Sequence, residues 1–73
     1  MSDFEYVMAE LKARRVPVPR IAADTGLPAK WLAKVRSGET KNPGAERIST
    51  LSRYFRLLEK QRRELMRELA NEA

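Results

Sequence analysis

The sequence predicts an all-α domain, and three observations carry that prediction. Apolar residues recur at helical spacing in each segment, and no stretch shows the alternation of a half-buried strand. Every glycine and proline falls between Pro17 and Gly44, so the breakers cut one middle section into short pieces and leave both flanks uninterrupted. The 73 residues include no Cys and no His, so neither disulfides nor the commonest zinc ligands are available to staple the chain. A chain this short buries only about 60% of its unfolded surface and has material for a single core. Packing, with a partner chain if needed, must supply the stability.

The first helix is expected over about residues 2–14. Ser2 and Glu5 have capping-box spacing, and Phe4, Val7, Met8 and Leu11 follow on one face. The string Val16-Pro17-Val18-Pro19 stops it, because proline cannot continue a helix yet can open the next. A second helix runs to about Thr25, where Gly26 suits the left-handed residue of a helix end. Pro28 suits the first turn of a third helix, with Trp31, Leu32 and Val35 turned inward and its end near Ser37-Gly38. Glu39-Thr40-Lys41 form a polar loop. Asn42-Pro43 reads as an N-cap and first-turn proline that start a fourth helix. From there Ile48, Leu51, Phe55, Leu58, Leu65, Met66 and Leu69 line one stripe, interrupted by Arg62.

Charge narrows the function. The formal net charge is +5, and both ends of the chain are neutral: residues 1–19 carry three acids and three bases, and residues 59–73 carry four of each. The excess lies within 20–58, where Arg20, Lys30, Lys34, Arg36, Lys41, Arg47, Arg53 and Arg56 face Asp24, Glu39 and Glu46. A polyanion is the partner such a cluster suits when it shares a face; a solvated surface is the plainer reading. No run approaches the roughly 18 apolar residues of a membrane span, and acids stand at the amino terminus where a signal peptide has bases, so a cytoplasmic location is expected. Without His, Cys or a glycine-rich phosphate loop, catalysis is not expected. No cofactor or small-molecule ligand is indicated, and carboxylates are too scattered for a metal site.

Two short helices joined by a glycine turn need a small residue where they cross and apolar residues on the facing sides. Ala22 is the small residue; Ile21, Leu27, Leu32 and Val35 supply the packing and Gly26 the turn. Together with Gly38 and Asn42-Pro43, this set resembles the helix-turn-helix of phage Cro and repressor proteins of the XRE type, over roughly residues 17–58. The resemblance implies a four- to five-helix lambda-repressor-like domain whose third helix enters the major groove of double-stranded DNA. It also implies a homodimer on a pseudo-palindromic operator, acting as a transcriptional repressor or regulator. The chain departs from the family pattern at Val18, where a polar phosphate-binding group is common, and in a slightly long loop from Gly38 to Pro43.

Aligned on Gly26, the recognition positions implied are Ala29, Lys30, Ala33, Lys34 and Ser37. Lys30 and Lys34 stand one turn apart, placed to donate to guanine O6 and N7, or else to phosphates or water, and the two alanines suit a thymine methyl. Arg36, Thr40, Lys41, Asn42 and Arg47 gather near the end of the third helix and the start of the fourth as phosphate contacts, with Arg20 a further candidate. Trp31 either packs on the second helix or leans on the sugar-phosphate backbone, packing being the favoured choice. Arg53 and Arg56 read as solvated or as general positive field.

The reading divides the chain into a DNA-binding domain, 1–58, and a carboxyl-terminal helix, 59–73. A straight helix over 43–72 is about 45 Å long and overshoots the rest of the domain. Either it bends near residues 57–61 and folds Leu65, Met66 and Leu69 back, or Leu58, Leu65, Met66 and Leu69 pack on a second protomer, the arrangement we expect. A protein–protein adaptor or antitoxin-like module, docking through this helix, is the alternative from another class. A DNA-bending accessory protein is a third. RNA binding fits poorly, since Phe4, Tyr6, Trp31, Tyr54 and Phe55 are dispersed and offer no paired stacking platform.

Overall fold

A computed structural model describes residues 2–40 and 42–72. The described residues form helices only: α1 (Asp3–Ala13), α2 (Val18–Thr25), α3 (Ala29–Ser37) and α4 (Ala45–Glu72). The all-α expectation therefore holds. None of these helices is long and apolar enough to cross a membrane.

Local chemistry explains where each helix starts and stops. Ser2 caps α1 by accepting the Glu5 N–H at 3.2 Å. The helix ends ahead of the prolines, at Arg14, which adopts a left-handed conformation (φ 54°) and donates its N–H to Leu11. Pro17 and Pro19 open α2, as expected of prolines at a helix start. Pro28 stands one position earlier than predicted, as the N-cap of α3 rather than within its first turn.

The start of α4 differs more. Asn42 and Pro43 precede the helix, which begins at Ala45. Gly44, at φ +90°, turns the chain out of a helical path between Pro43 and Ala45, and its carbonyl accepts the Ile48 N–H at 3.2 Å. The expected Asn42 N-cap is thus displaced by a glycine that only a positive φ position requires.

The core is Val7, Leu11, Ile21, Leu32, Val35, Ile48, Leu51 and Phe55. All four helices contribute to it. The amino-terminal half of α4 is the element on which α1 and α2 rest, while α3 packs on α1 and α2. Phe4, expected on the inner face of α1, is 42% exposed.

Past Leu58 every described residue of the helix is exposed. It runs without a break to Glu72, and the molecule measures 46 Å along its longest axis. The bend near residues 57–61 does not occur, because no glycine, proline or inserted group interrupts the backbone ladder there. Leu65, Met66 and Leu69 are 56%, 60% and 52% exposed. Leu58 differs from them: it is half-buried and packs against the core.

Candidate nucleic-acid interface

The connection between α2 and α3 is three residues, Gly26-Leu27-Pro28, and side chains and backbone both hold it. Gly26 takes φ +77° and donates to the Ala22 carbonyl at 2.9 Å. The Thr25 hydroxyl donates to the Ile21 carbonyl at 2.6 Å and accepts the Leu27 N–H at 3.2 Å. One side chain therefore ties the last turn of α2 to the middle residue of the connection after it. Leu27 is half-buried against the core and anchors the connection from beneath.

α3 is thereby seated with two faces of opposite character. Leu32 and Val35 are fully buried, and Trp31 is partly so. Ala29, Lys30, Ala33, Lys34 and Ser37 are all exposed, as is the facing side they share. The helix carries Lys30, Lys34 and Arg36 and no acid, so its outer surface is positive along its length. Pro28 supplies no side-chain cap, and the first intrahelical bond is Leu32 N–H to Pro28 carbonyl. The N–H groups of Ala29, Lys30 and Trp31 precede that bond, and the helix dipole adds positive potential there. At the other end Gly38 donates to Val35, and Glu39 donates to Lys34 at 3.0 Å. This paired closure fixes the last turn in a Schellman motif. The Ser37 hydroxyl donates to the Lys34 carbonyl at 2.9 Å, so what Ser37 turns outward is an acceptor.

The expected phosphate contacts divide. Asn42 is exposed, and Arg36 and Thr40 are half-buried. Lys41 lies outside the described residues. Arg47 places its guanidinium 5.0 Å from the centre of the Trp31 ring. This stacking orients a cation from α4 beside α3 and agrees with packing, rather than full exposure, as the role of Trp31. Arg20 is held elsewhere: it pairs with Asp24 at 3.6 Å, and the Tyr54 hydroxyl donates to the same carboxylate at 2.7 Å. Burial first, and then the hydrogen bond and charge of Asp24, push the Tyr54 pKa up to about 12.

A second polar cluster was not anticipated. Arg56 lies 4.6 Å from the Tyr6 ring centre, donates to Ser52 at 3.2 Å and reaches Asp3 at 3.7 Å. Ser52, buried in α4, donates in turn to Asp3. Arg56 therefore bridges α1 and α4 while its side chain stays 60% exposed, so it is solvated as expected but also holds contacts the sequence does not suggest. Periodicity does not reveal them, since the partners lie about 50 residues apart. The Tyr6 hydroxyl is buried, and no acceptor meets it in good hydrogen-bond geometry, although the Glu59 carboxylate stands near it. Burial, then the charges of Glu59 and Glu10, raise its pKa, while Arg56 opposes them.

The residues so arranged define an all-helical protein that presents one short, acid-free helix on a rigid support. No family model, curated protein or solved structure matches the chain.

Proposed function

We propose that this chain binds double-stranded DNA sequence-specifically as a helix-turn-helix protein, with α3 in the major groove, and acts as a homodimeric transcriptional regulator, most simply a repressor. The carrying observation is the two-faced α3: Leu32 and Val35 locked in the core, with Ala29, Lys30, Ala33, Lys34 and Ser37 exposed opposite them. A helix of this diameter fits the major groove, and the small residues Ala29, Ala33 and Ser37 beside the two lysines let its backbone approach base edges closely. Arg47, stacked on Trp31, and Arg36, Thr40 and Asn42 supply the flanking positions for phosphate contact. The start of α2 contributes less. Pro19 has no N–H and the Arg20 N–H is bonded to Pro17, which leaves few donors for a phosphate.

The exposed Leu65, Met66 and Leu69 support a second reading, in which α4 docks a different protein and the basic face is incidental. Fluorescence anisotropy separates the two. The chain is titrated with duplex from its own upstream region and with random duplex of equal length, over several salt concentrations. A preference above about a thousandfold with a steep salt dependence is the expected outcome. Weak and equal binding to both, followed by failure to enrich any site from a genomic library, overturns the DNA reading in favour of the adaptor. A bent-duplex mobility assay on the selected site tests the accessory, DNA-bending role.

A further inference from the structure

We infer that the homodimer is antiparallel along α4, and that a groove at the junction of α1, α2 and α4 receives the carboxyl-terminal turns of α4 from a second copy of this chain. The inference rests on the homodimeric part of the proposed function and assigns its interface.

The groove, about 200 Å³, has an apolar floor of Val16, Phe55 and Leu58. Arg15, Arg20 and Arg62 stand around it, against the carboxylates of Glu10 and Glu59. The rim is thus richer in cations than in acids, although Arg20 is also engaged by Asp24. From the floor the exposed stripe of α4 continues through Leu65 and Leu69, while the last turns of the same helix carry two acids, Glu68 and Glu72, against one base, Arg67. An apolar ridge ending in acids thereby matches an apolar groove edged with arginines.

The spacing sets the direction. Leu58, Arg62, Leu65 and Leu69 continue the alternate four- and three-residue spacing of Leu51 and Phe55, which face the chain's own core, and carry it on as the seam of a two-helix coiled coil. In a parallel, in-register pair each position meets itself, and Arg62 stacks on the Arg62 of the second copy. Two buried like charges at one layer are strongly unfavourable. Reversing one helix about a point between Arg62 and Leu65 removes that clash. Arg62 then lies beside Leu65 of the second copy, where its aliphatic stem packs and its guanidinium reaches water. Leu58 meets Leu69, and Glu72 arrives over Phe55, at the Arg15 and Arg20 end of the groove. The free end of α4, unsupported in one molecule, is covered by the other.

The chain lacks cysteine, so disulfide trapping reads the register directly. Leu58→Cys and Leu69→Cys are prepared separately, mixed and oxidised under mild conditions, with Leu69→Cys alone as the control for a parallel pair. The expected result is a dimer by light scattering and a 58-to-69 cross-link that forms in the mixture faster than in either variant alone. Because Leu58 touches the core, circular dichroism of that variant must match the wild type, and Glu72→Arg provides an independent arm. Glu72→Arg raises the dimer dissociation constant about three- to fivefold, as loss of an exposed ion pair predicts, and Arg15→Glu in the same chain restores it. A monomer at all concentrations, a rapid Leu69→Cys self-cross-link, or a dimer trapped by neither pair overturns the inference. A 58-to-69 dimer that shows no DNA preference supports this interface and overturns the DNA reading alone; a monomer that selects DNA does the reverse.

Discussion

Gly26 and Arg14 occupy the same left-handed region for different reasons, and comparing them isolates a backbone effect from a packing one. A Cβ added at Gly26 meets no atom within 4 Å, so the whole cost of Gly26→Ala comes from its φ of +77°. We predict a loss of about 1 kcal/mol in urea denaturation. Arg14 already bears that strain at φ 54°, and Arg14→Gly should gain about 0.5 kcal/mol after the added flexibility of the unfolded chain is subtracted. If both changes destabilise equally, the αL assignment at Arg14 is wrong. Tyr54 gives a residue-scale pH dependence. Its folded pKa lies near 12 against an ordinary 10.0, so the folded state holds the proton more tightly. That contribution is fully present below about pH 10 and is lost as pH rises toward 12. Denaturation midpoints measured across this window should fall with pH, and Tyr54→Phe should flatten the decline.

At the scale of the element, α3 is set by its two ends and one buried face. Gly26 with Thr25 fixes how it enters, the Gly38 closure fixes how it leaves, and Leu32 and Val35 fix its rotation about its own axis. Lys34 then points outward by default. Lys34→Ala should weaken binding to a selected site by roughly 1–3 kcal/mol and relax preference at one position, while random duplex is affected much less. Equal losses on both duplexes in the anisotropy assay would reduce Lys34 to a phosphate contact. These features were legible in the sequence because they are local: a glycine, a proline and a 3.6-residue pattern act over a few residues. The Asn42 cap was misplaced for the same local reason. Asn-Pro is a good helix start, but Gly44 lies inside the would-be first turn, and its positive φ moves the start to Ala45.

For the molecule as a whole, the decisive feature is that α4 outruns the domain. Its first half is covered by α1 and α2, and its second half exposes Leu65, Met66 and Leu69 at more than half their surface. Leu69→Glu should leave helix content unchanged, since the side chain has no core contact to lose, and should shift the protein to monomer in light scattering. A Leu69→Glu chain that remains dimeric would place the interface elsewhere. The seam from Leu51 to Leu69 is visible as a pattern, but a pattern does not say which of its residues meet the core and which meet nothing. That division depends on where α1 and α2 end along α4.

Helix number, helix type and most of the buried set follow from the sequence by itself, because spacing of apolar residues and placement of breakers are properties of neighbours in the chain. Tertiary structure alone decided the rest. It set the exposed Arg56 among Asp3, Ser52 and Tyr6, tied Arg20 and Tyr54 to one carboxylate, and stacked Arg47 on Trp31. It also kept α4 one continuous helix with Leu65, Met66 and Leu69 exposed instead of folded back on the core. Apart from the Arg20–Asp24 and Arg56–Ser52 pairs, which lie one helical turn apart, these contacts join groups distant in sequence, and long polar side chains with several possible partners take the one that packing brings within reach. Periodicity can place such a residue on a face, but only the assembled helices determine what waits there.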